Sequence, residues 1–214
     1  MKAIEPIVAR LKELFPDAVL EIIANEAVAD QPSLRVSRQH LRDVALALRD
    51  GEGWKFDMAS NVTGTDWLPR VEKQKVEVTR VVDGEEKLFQ DTIEIQHPGY
   101  LEAVYHLYSV ALRHGPMILR ARTEDRGEKV QLPSLTPVWR SCELQEREIY
   151  DLYGIQFEGH PDMRRLLMWE DFVDHPMRKD YVDPDDFEYE PTPHDEVLKR
   201  AEAHRAAHPE GGAR

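Results

Sequence analysis

The sequence predicts an α+β domain, a mixed β-sheet with helices packed on one face, followed by an extended C-terminal arm. Three segments repeat apolar residues at three- and four-residue spacing, which indicates amphipathic helices. Between the second and third of these, several segments alternate apolar and polar residues and are separated by Gly- or Pro-containing turns, a pattern typical of strands and hairpins. Helices and strands in this mixed order favour the α+β class. We place the compact domain at residues 1–168 and the arm at residues 169–214.

The first part of the chain contains two of the predicted helices. The spacing of apolar residues predicts a helix over residues 2–15, which closes before Pro16. A short apolar run over residues 19–24 predicts a strand. Ser37 can cap a second helix, and Gly51 ends it.

The strands are predicted from alternation and from turn residues. Residues 54–63 alternate like a half-buried strand. Alternation resumes at Val76, and Asp83-Gly84 offers a tight turn into residues 88–95, which predicts a hairpin. Two further strands are predicted over residues 100–112 and 117–122.

The third helix carries a carboxylate on its apolar side. Thr136 followed by Pro137 is a helix-start signal, and Gly154 ends the pattern. Glu146 shares the apolar stripe of this helix with Cys142 and Ile149. A buried charge without a partner is costly, so Glu146 requires one.

Two interpretations of Glu146 stay open from the residues alone. In the structural one, Glu146 pairs with Arg164 or Arg165, which follow the turn at His160-Pro161, and so fixes the helix to the next segment. In the functional one, Glu146 is an acid or base with a shifted pKa. The structural interpretation is favoured because no catalytic partner is evident in the sequence.

Composition excludes several classes of protein. The 214 residues contain 28 Lys and Arg against 41 Asp and Glu, a net charge of −13, and a single cysteine. An acidic chain is a poor nucleic-acid binder, and one cysteine supplies neither a disulfide nor the ligands of an iron–sulfur cluster. Neither a membrane span nor a signal peptide is apparent, so we expect a reducing, cytosol-like compartment.

Cofactor and metal motifs are also missing. The sequence has no glycine-rich nucleotide loop, no phosphate loop and no paired Cys-x-x-Cys. His204 and His208 lie one helical turn apart, and His160 precedes Asp162 by two residues, but neither pair brings a third ligand. We therefore expect neither a metal site nor a bound cofactor.

The chain beyond the domain changes in character. Between Asp180 and Glu196 there are eight carboxylates, three prolines and neither Lys nor Arg. Such a segment cannot bury a core of its own, which predicts an extended arm held by a partner. Just before it, His175-Pro176 is followed by Arg178-Lys179, so basic side chains extend from irregular backbone.

The run from Glu146 to Leu167, ERE-IYDLYG-IQFEGHPDMRRLL, resembles the signature of the C subunit, the 30-kDa subunit family, of respiratory complex I, the proton-pumping NADH–quinone oxidoreductase. The segments at residues 170–172 and 175–181 are similar to the family's second block. The likeness covers most of residues 54–68 and 99–182. Asp174 departs from the family's usual glycine and Val182 from its usual proline, and the tail from Asp183 does not align.

The resemblance implies a core subunit of the hydrophilic arm that carries no cofactor. FMN and iron–sulfur clusters are then held by partner subunits, and this chain braces the D and B subunits of complex I, which carry electrons to quinone. The implied location is peripheral, on the cytoplasmic face of a bacterial inner membrane, within an assembly that translocates protons. The isolated chain is expected to be non-catalytic.

The resemblance also singles out residues. The signature and structural positions are Glu146, Arg147, Glu148, Tyr150, Asp151, Gly154, Gly159, His160 and Pro161. The candidates for interface or folding anchors are Arg164, Arg165, His175, Arg178, Lys179 and Asp180.

Three other interpretations remain open at this point. A related subunit of a membrane-bound hydrogenase or a ferredoxin-fed complex would share the signature. A free-standing enzyme would use Glu146, Asp151 or His160 in acid–base chemistry, which requires positioned partners. An acidic adaptor would bind basic partners through its tail.

Overall fold

The computed structural model describes residues 4–25, 31–82 and 85–182, of which residues 77–82 and 85–89 are described by their backbone alone. The predicted turn at Asp83-Gly84, the acidic arm beyond Val182 and the pair of His204 and His208 lie outside the described residues. The compact unit ends at Tyr181 and so includes residues 169–181, which the sequence pattern assigns to the arm.

A five-stranded mixed sheet forms the centre of the compact unit. Its strands are β1 (Leu20–Ile23), β2 (Ser33–Val36), β3 (Met58–Trp67), β6 (Tyr100–Ser109) and β7 (His114–Arg122), in the spatial order β1-β2-β7-β6-β3. All neighbours are antiparallel except β2 and β7, which run parallel. The predicted mixed sheet is confirmed.

Three α-helices cover one face of this sheet. They are α1 (Ile4–Leu14), α2 (Leu41–Asp50) and α3 (Cys142–Tyr153), and a 3₁₀ turn (Arg38–His40) leads into α2. Alternate residues of β6, among them Leu101 and Tyr105, are fully buried in the same hydrophobic core as the apolar sides of all three helices. The intervening residues of β6 face the opposite side, which no α-helix of the described residues covers and which we call the helix-free side. The predicted packing of helices on one face is confirmed.

The remaining strands form two small sheets. Strands β4 (Arg70–Val82) and β5 (Glu85–His97) pair antiparallel along their whole length, which confirms the predicted hairpin. Strands β8 (Gln131–Pro133) and β9 (Gln156–Glu158) pair in parallel. In the sequence, β8 precedes α3 and β9 follows it. Among the described residues, the helices are all too short or too polar to cross a membrane.

Helix α3 begins at Cys142, later than the predicted start at Thr136. The Thr136 hydroxyl donates to the Glu146 carboxylate, 3.1 Å away, and so does not cap a helix. Residues 135–142 instead form successive turns, in which the Trp139 N–H donates to the Leu135 carbonyl and the Cys142 N–H to the Trp139 carbonyl. The end at Gly154 is confirmed by its left-handed backbone, with φ of 80°.

Helix α2 also starts differently from the prediction. Ser37 precedes the 3₁₀ turn, its side chain caps no backbone N–H, and its hydroxyl lies 3.2 Å from Nδ1 of His40. The end at Gly51 is confirmed, with its N–H donating to the Ala47 carbonyl. The strand predicted at residues 54–63 lies at Met58–Trp67, because residues 54–57 form turns against the end of α2.

Candidate functional site

The signature residues lie on α3 and on the segment that follows it. The helix packs closely on β3 at Gly64, where a Cβ atom would lie 2.5 Å from the Tyr153 ring. A glycine on the core side of this strand therefore sets the distance between the helix and the sheet. The Gln145 side chain adds a polar contact by accepting the Val62 N–H at 2.6 Å.

Glu146 lies fully buried beneath this helix and is bonded only by neutral donors. Its carboxylate accepts the Ser134 hydroxyl at 2.6 Å and the Leu135 N–H at 2.7 Å. The hydroxyls of Thr136 and Tyr105 complete the shell at 3.1 and 3.3 Å. Glu146 therefore ties the loop after β8 and strand β6 to the helix.

The structure corrects the predicted ion pair of Glu146 with Arg164 or Arg165. Arg165 instead binds the neighbouring carboxylate, Asp151, at 2.7 Å. Arg164 is exposed and pairs with Asp162 at 2.9 Å. The two acidic residues point to different sides of α3, and the segment carrying the arginines passes along the Asp151 side.

Asp151 holds the start of a segment that we call the strap, residues 164–181. One carboxylate oxygen, Oδ2, accepts the N–H groups of Leu166, Leu167 and Met168 at 2.6–2.9 Å. The other, Oδ1, accepts Arg165. Burial raises the pKa of Asp151, but these donors outweigh it and hold the pKa below its ordinary value.

The strap also satisfies the free carbonyl groups at the end of α3. The last carbonyls of a helix have no partner within the helix. The Asp151 carbonyl accepts from Arg165 and His175, the Leu152 carbonyl from the Met177 N–H, and the Tyr153 carbonyl from Arg178 at 2.7 Å. Two arginines at a helix C-terminus are also favoured by the helix dipole.

Asp66 and Arg126 lock the far end of the strap. The Asp66 carboxylate is buried at the end of β3, binds Arg126 bidentately at 2.6 and 2.7 Å, and accepts the Lys179 N–H at 2.8 Å. Arg126 also binds Asp180 at 2.8 Å. The guanidinium of Arg178 reaches the carbonyls of Arg126 and Gly127. These contacts join the strap to the β7–β8 connection.

The remaining signature residues shape the turn before the strap. His160 accepts the Asp162 N–H at Nδ1 and donates from Nε2 to the Glu143 carbonyl, so both nitrogens are used. Arg147 is buried and donates to the carbonyls of Arg164 and Arg165. Gly159 has φ of 79°, and Pro161 is exposed. Glu148 is exposed, and the ring of Tyr150 lies 6.3 Å from that of His175.

The strap exposes several large apolar side chains among its charged ones. Trp169 is 56% exposed, Leu167 57% and Val173 86%. Leu166 and Met177 are exposed as well. Only Phe172 of the strap's large apolar side chains is buried, and it packs against the rings of Trp169 and Tyr181. Apolar side chains concentrated on one exposed segment are typical of an interaction surface.

Asp66 and Arg126 were not predicted as site residues from the sequence. The position of Asp66 could have been noticed from the alternation along β3. Asp66 follows Val62 and Gly64 at two-residue spacing, which places a carboxylate on the core side of the strand. Arg126 lies in a loop, and only the folded backbone brings it to Asp66. In the described ranges, no cluster of three or more His, Cys, Asp or Glu side chains could hold a metal ion.

Fold and site together define a class of protein in which buried charges hold chain segments together and a bound segment exposes large apolar side chains. The chain belongs to the family described as respiratory-chain NADH dehydrogenase, 30 Kd subunit, whose model matches residues 34–188. The C subunit of the NADH-quinone oxidoreductase of Coxiella burnetii is 38% identical over 165 residues, 75% of this chain and 71% of the relative.

Two further relatives carry related names. The C subunit of the NADH-quinone oxidoreductase of Roseiflexus castenholzii is 34% identical over 174 residues, which cover 81% of each chain. A protein of Phocaeicola vulgatus, named as the C/D subunit of NADH-quinone oxidoreductase, is 36% identical over 148 residues, 69% of this chain and 22% of that protein.

Proposed function

We propose that this chain is the C subunit of a proton-translocating NADH–quinone oxidoreductase. It binds no cofactor itself and braces the subunits that carry electrons from FMN and iron–sulfur clusters to quinone. The single observation that carries the proposal is the strap, which is fixed rigidly to α3 and turns its apolar residues outward. Membership in the 30-kDa subunit family and the names of the relatives supply the type of complex.

The expected partners are the D and B subunits of the complex, and the strap is the docking surface. The relative named C/D supports the D subunit as a partner, because one protein carries the names of both. The remaining interface candidates divide by exposure. Arg164, Lys179 and Asp180 reach solvent and are available to a partner. Arg165, His175 and Arg178 support the strap from beneath.

The expected location is the cytoplasmic face of a bacterial inner membrane, with attachment through the complex rather than through this chain. A hydrogenase-related or ferredoxin-fed complex is not favoured, because the relatives are named for NADH and quinone. The genes beside this one provide a direct check, since the E, F and G subunits accompany NADH input.

Affinity purification of the tagged full-length chain from native membranes tests the proposal. We expect the D and B subunits to co-purify, together with NADH:quinone oxidoreductase activity. Replacing Leu167 and Trp169 by Ser should lower recovery of the D subunit about tenfold or more, because each buried large apolar side chain contributes about 1.5–3 kcal/mol.

The matched control is Val110→Ser, which changes an apolar residue that is 61% exposed at the β6–β7 connection. Its recovery of partners should equal that of the wild type. Purification of the wild-type chain without any oxidoreductase subunit would contradict the proposed function. Unchanged recovery with the Leu167 and Trp169 variant would contradict the strap as the docking surface.

A further inference from the structure

A second surface lies on the helix-free side of the sheet, opposite the core. Here Arg35 of β2 lies beside Arg120 of β7, and Arg122 follows two residues later on the same side of that strand. We call these three arginines and the residues between them the cationic face. Its three arginines project from the centre of the sheet rather than from the strap, of which only Lys179 reaches its border.

Positive charges outnumber negative charges on the cationic face. Glu102 of β6 is fully buried beneath it and binds Arg120 at 2.5 Å and Arg122 at 3.0 Å. Arg35 pairs with Glu21 on the neighbouring strand β1. Three guanidinium groups thus share two carboxylates and retain one positive charge, in a chain whose net charge is −13. Burial, and then repulsion from Arg122, lower the pKa of Arg35.

Hydrogen-bonding capacity also remains unused on this face. Nε of Arg120 is buried without a hydrogen-bond partner, so an incoming group reaches this side chain only through its exposed fraction of 19%. Arg122 uses its Nε for Glu102 and lies over the ring of Tyr100, 4.3 Å from the ring centre. A guanidinium held in this way is pre-organised to bind a carboxylate with its remaining N–H groups.

Aromatic rings border the cationic face at the ends of β3 and β6. Trp67 and Tyr100 are stacked with their centres 6.0 Å apart, and Trp67 is 40% exposed. The ammonium group of Lys179 lies 5.9 Å from the Trp67 ring, which adds a further positive charge at this border. Trp, Tyr and Arg are the residue types most enriched at the energetic centres of protein interfaces.

We propose that the cationic face binds an acidic segment of a second polypeptide in the complex, with its carboxylates on Arg35, Arg120 and Arg122 and an apolar side chain against Trp67. This inference rests on the proposed function in one respect, that the chain works within a multisubunit assembly. It adds a second, electrostatic interface on a different side of the domain.

Charge complementarity favours an acidic protein segment over a polyanion. Nucleic acids and anionic lipid surfaces are held by extended positive surfaces, whereas the arginines here form a small group bounded by Glu21 in an acidic chain. Forked guanidinium groups beside stacked rings suit a few carboxylates and one apolar side chain. An acidic partner is therefore recognised locally although the chain as a whole repels it.

Site-specific photo-crosslinking in the assembled complex tests this inference. A photoreactive residue replaces Thr63, which is exposed and lies on the helix-free side of β3, and the crosslinked peptide is identified by mass spectrometry. We expect a peptide rich in Asp and Glu from another polypeptide of the complex. Arg35→Glu should reduce the crosslink about tenfold, because it reverses a contact charge without touching the buried Glu102.

Arg10→Glu is the matched control, since Arg10 is an exposed arginine on α1 that also pairs with a carboxylate. It should leave the crosslink unchanged. If Arg35→Glu lowers the amount of folded chain, Arg35→Gln provides the same test, because it removes the charge without reversing it. Changing the crosslinked acidic residue to Lys should restore the crosslink with Arg35→Glu.

Crosslinks to lipid or nucleic acid, or the absence of a crosslink from Thr63 in an intact complex, would overturn the inference. So would a crosslink that Arg35→Glu and Arg35→Gln leave unchanged. These results are distinguishable from failure of the proposed function, in which the wild-type chain would not bring down the other oxidoreductase subunits at all.

Discussion

Two buried carboxylates on the same helix behave in opposite ways. Asp151 faces Arg165 and three backbone N–H groups, which lower its pKa despite its burial. Glu146 receives hydrogen bonds from neutral groups alone, and burial outweighs them, so its pKa is raised above its ordinary value. A neutral shell lacks the positive charge that offsets desolvation of a carboxylate.

The raised pKa of Glu146 predicts a pH-dependent difference from a neutral variant. The folded protein holds the Glu146 proton more tightly than the unfolded chain, so the stabilisation is complete below the ordinary pKa of about 4.5 and is lost as pH rises through the raised value. Relative to Glu146→Gln, the wild type should therefore lose stability as pH rises from about 4.5 through the raised pKa of Glu146. Urea unfolding at several pH values measures this difference.

Glu146→Leu provides the contrast at a single pH. It leaves the Leu135 N–H and the Ser134 hydroxyl buried without their acceptor, so we expect a loss of about 3 kcal/mol in the free energy of unfolding. A difference between the wild type and Glu146→Gln that does not vary with pH would contradict the pKa argument.

At the scale of elements, the end of α3 depends on a segment distant from it in sequence. Its last carbonyls are bonded by the side chains and backbone of the strap, and Gly154 turns the chain away at φ of 80°. On the other side, the helix lies directly against β3 at Gly64. The position of α3 is therefore set from both sides.

The contact at Gly64 predicts the effect of a single methyl group. In Gly64→Ala the new Cβ would lie 2.5 Å from Cδ2 and 3.0 Å from Cγ of Tyr153, so the whole ring and with it the helix must move. We expect a loss of about 2–3 kcal/mol in the free energy of unfolding, the cost of overpacking. Chemical denaturation measures it.

Gly53→Ala is the matched control, because a Cβ there would meet nothing within 4 Å. This variant should unfold at nearly the same denaturant concentration as the wild type. Equal losses for the two variants would show that helix–sheet contact at Gly64 is not the cause.

At the scale of the whole molecule, two acidic residues hold the strap on the compact unit. Burial raises the pKa of both Asp66 and Asp151, but the arginines and backbone N–H groups that bind them lower it further, so both values lie below the ordinary 3.8. Their stabilising effect is present above about pH 4 and is lost as pH falls through the lowered values.

Acid should therefore release the strap. We expect the amides of Leu167 and Lys179, which donate to Asp151 and Asp66, to lose protection from hydrogen exchange below about pH 4, after correction for intrinsic rates. The amide of Tyr105 in β6 serves as the internal control and should stay protected. Equal losses of protection at Tyr105 would instead indicate global unfolding.

Asp151→Asn should lower the free energy of unfolding by about 3 kcal/mol at pH 7 and by progressively less in acid.

Much of the fold follows from periodicity along the chain. The apolar repeats of α1 and α2 and the alternation that leads into the β4–β5 hairpin are local, and each was predictable from neighbouring residues. Strands β2, β8 and β9 span only three or four residues each and join parallel partners distant in sequence. Such short strands carry too little alternation to be recognised before their partners are known.

The order of residues was sufficient to predict the fold class, the family signature and the need for a buried partner at Glu146. The partner that each charge received emerged only in the folded molecule. Arg165 reached Asp151 rather than Glu146, and hydroxyl groups from a loop and from β6 closed around Glu146. The physical reason is that helical spacing determines the side of α3 on which a carboxylate lies. The path of the strap, which packing of the whole chain sets, determines which donors reach it.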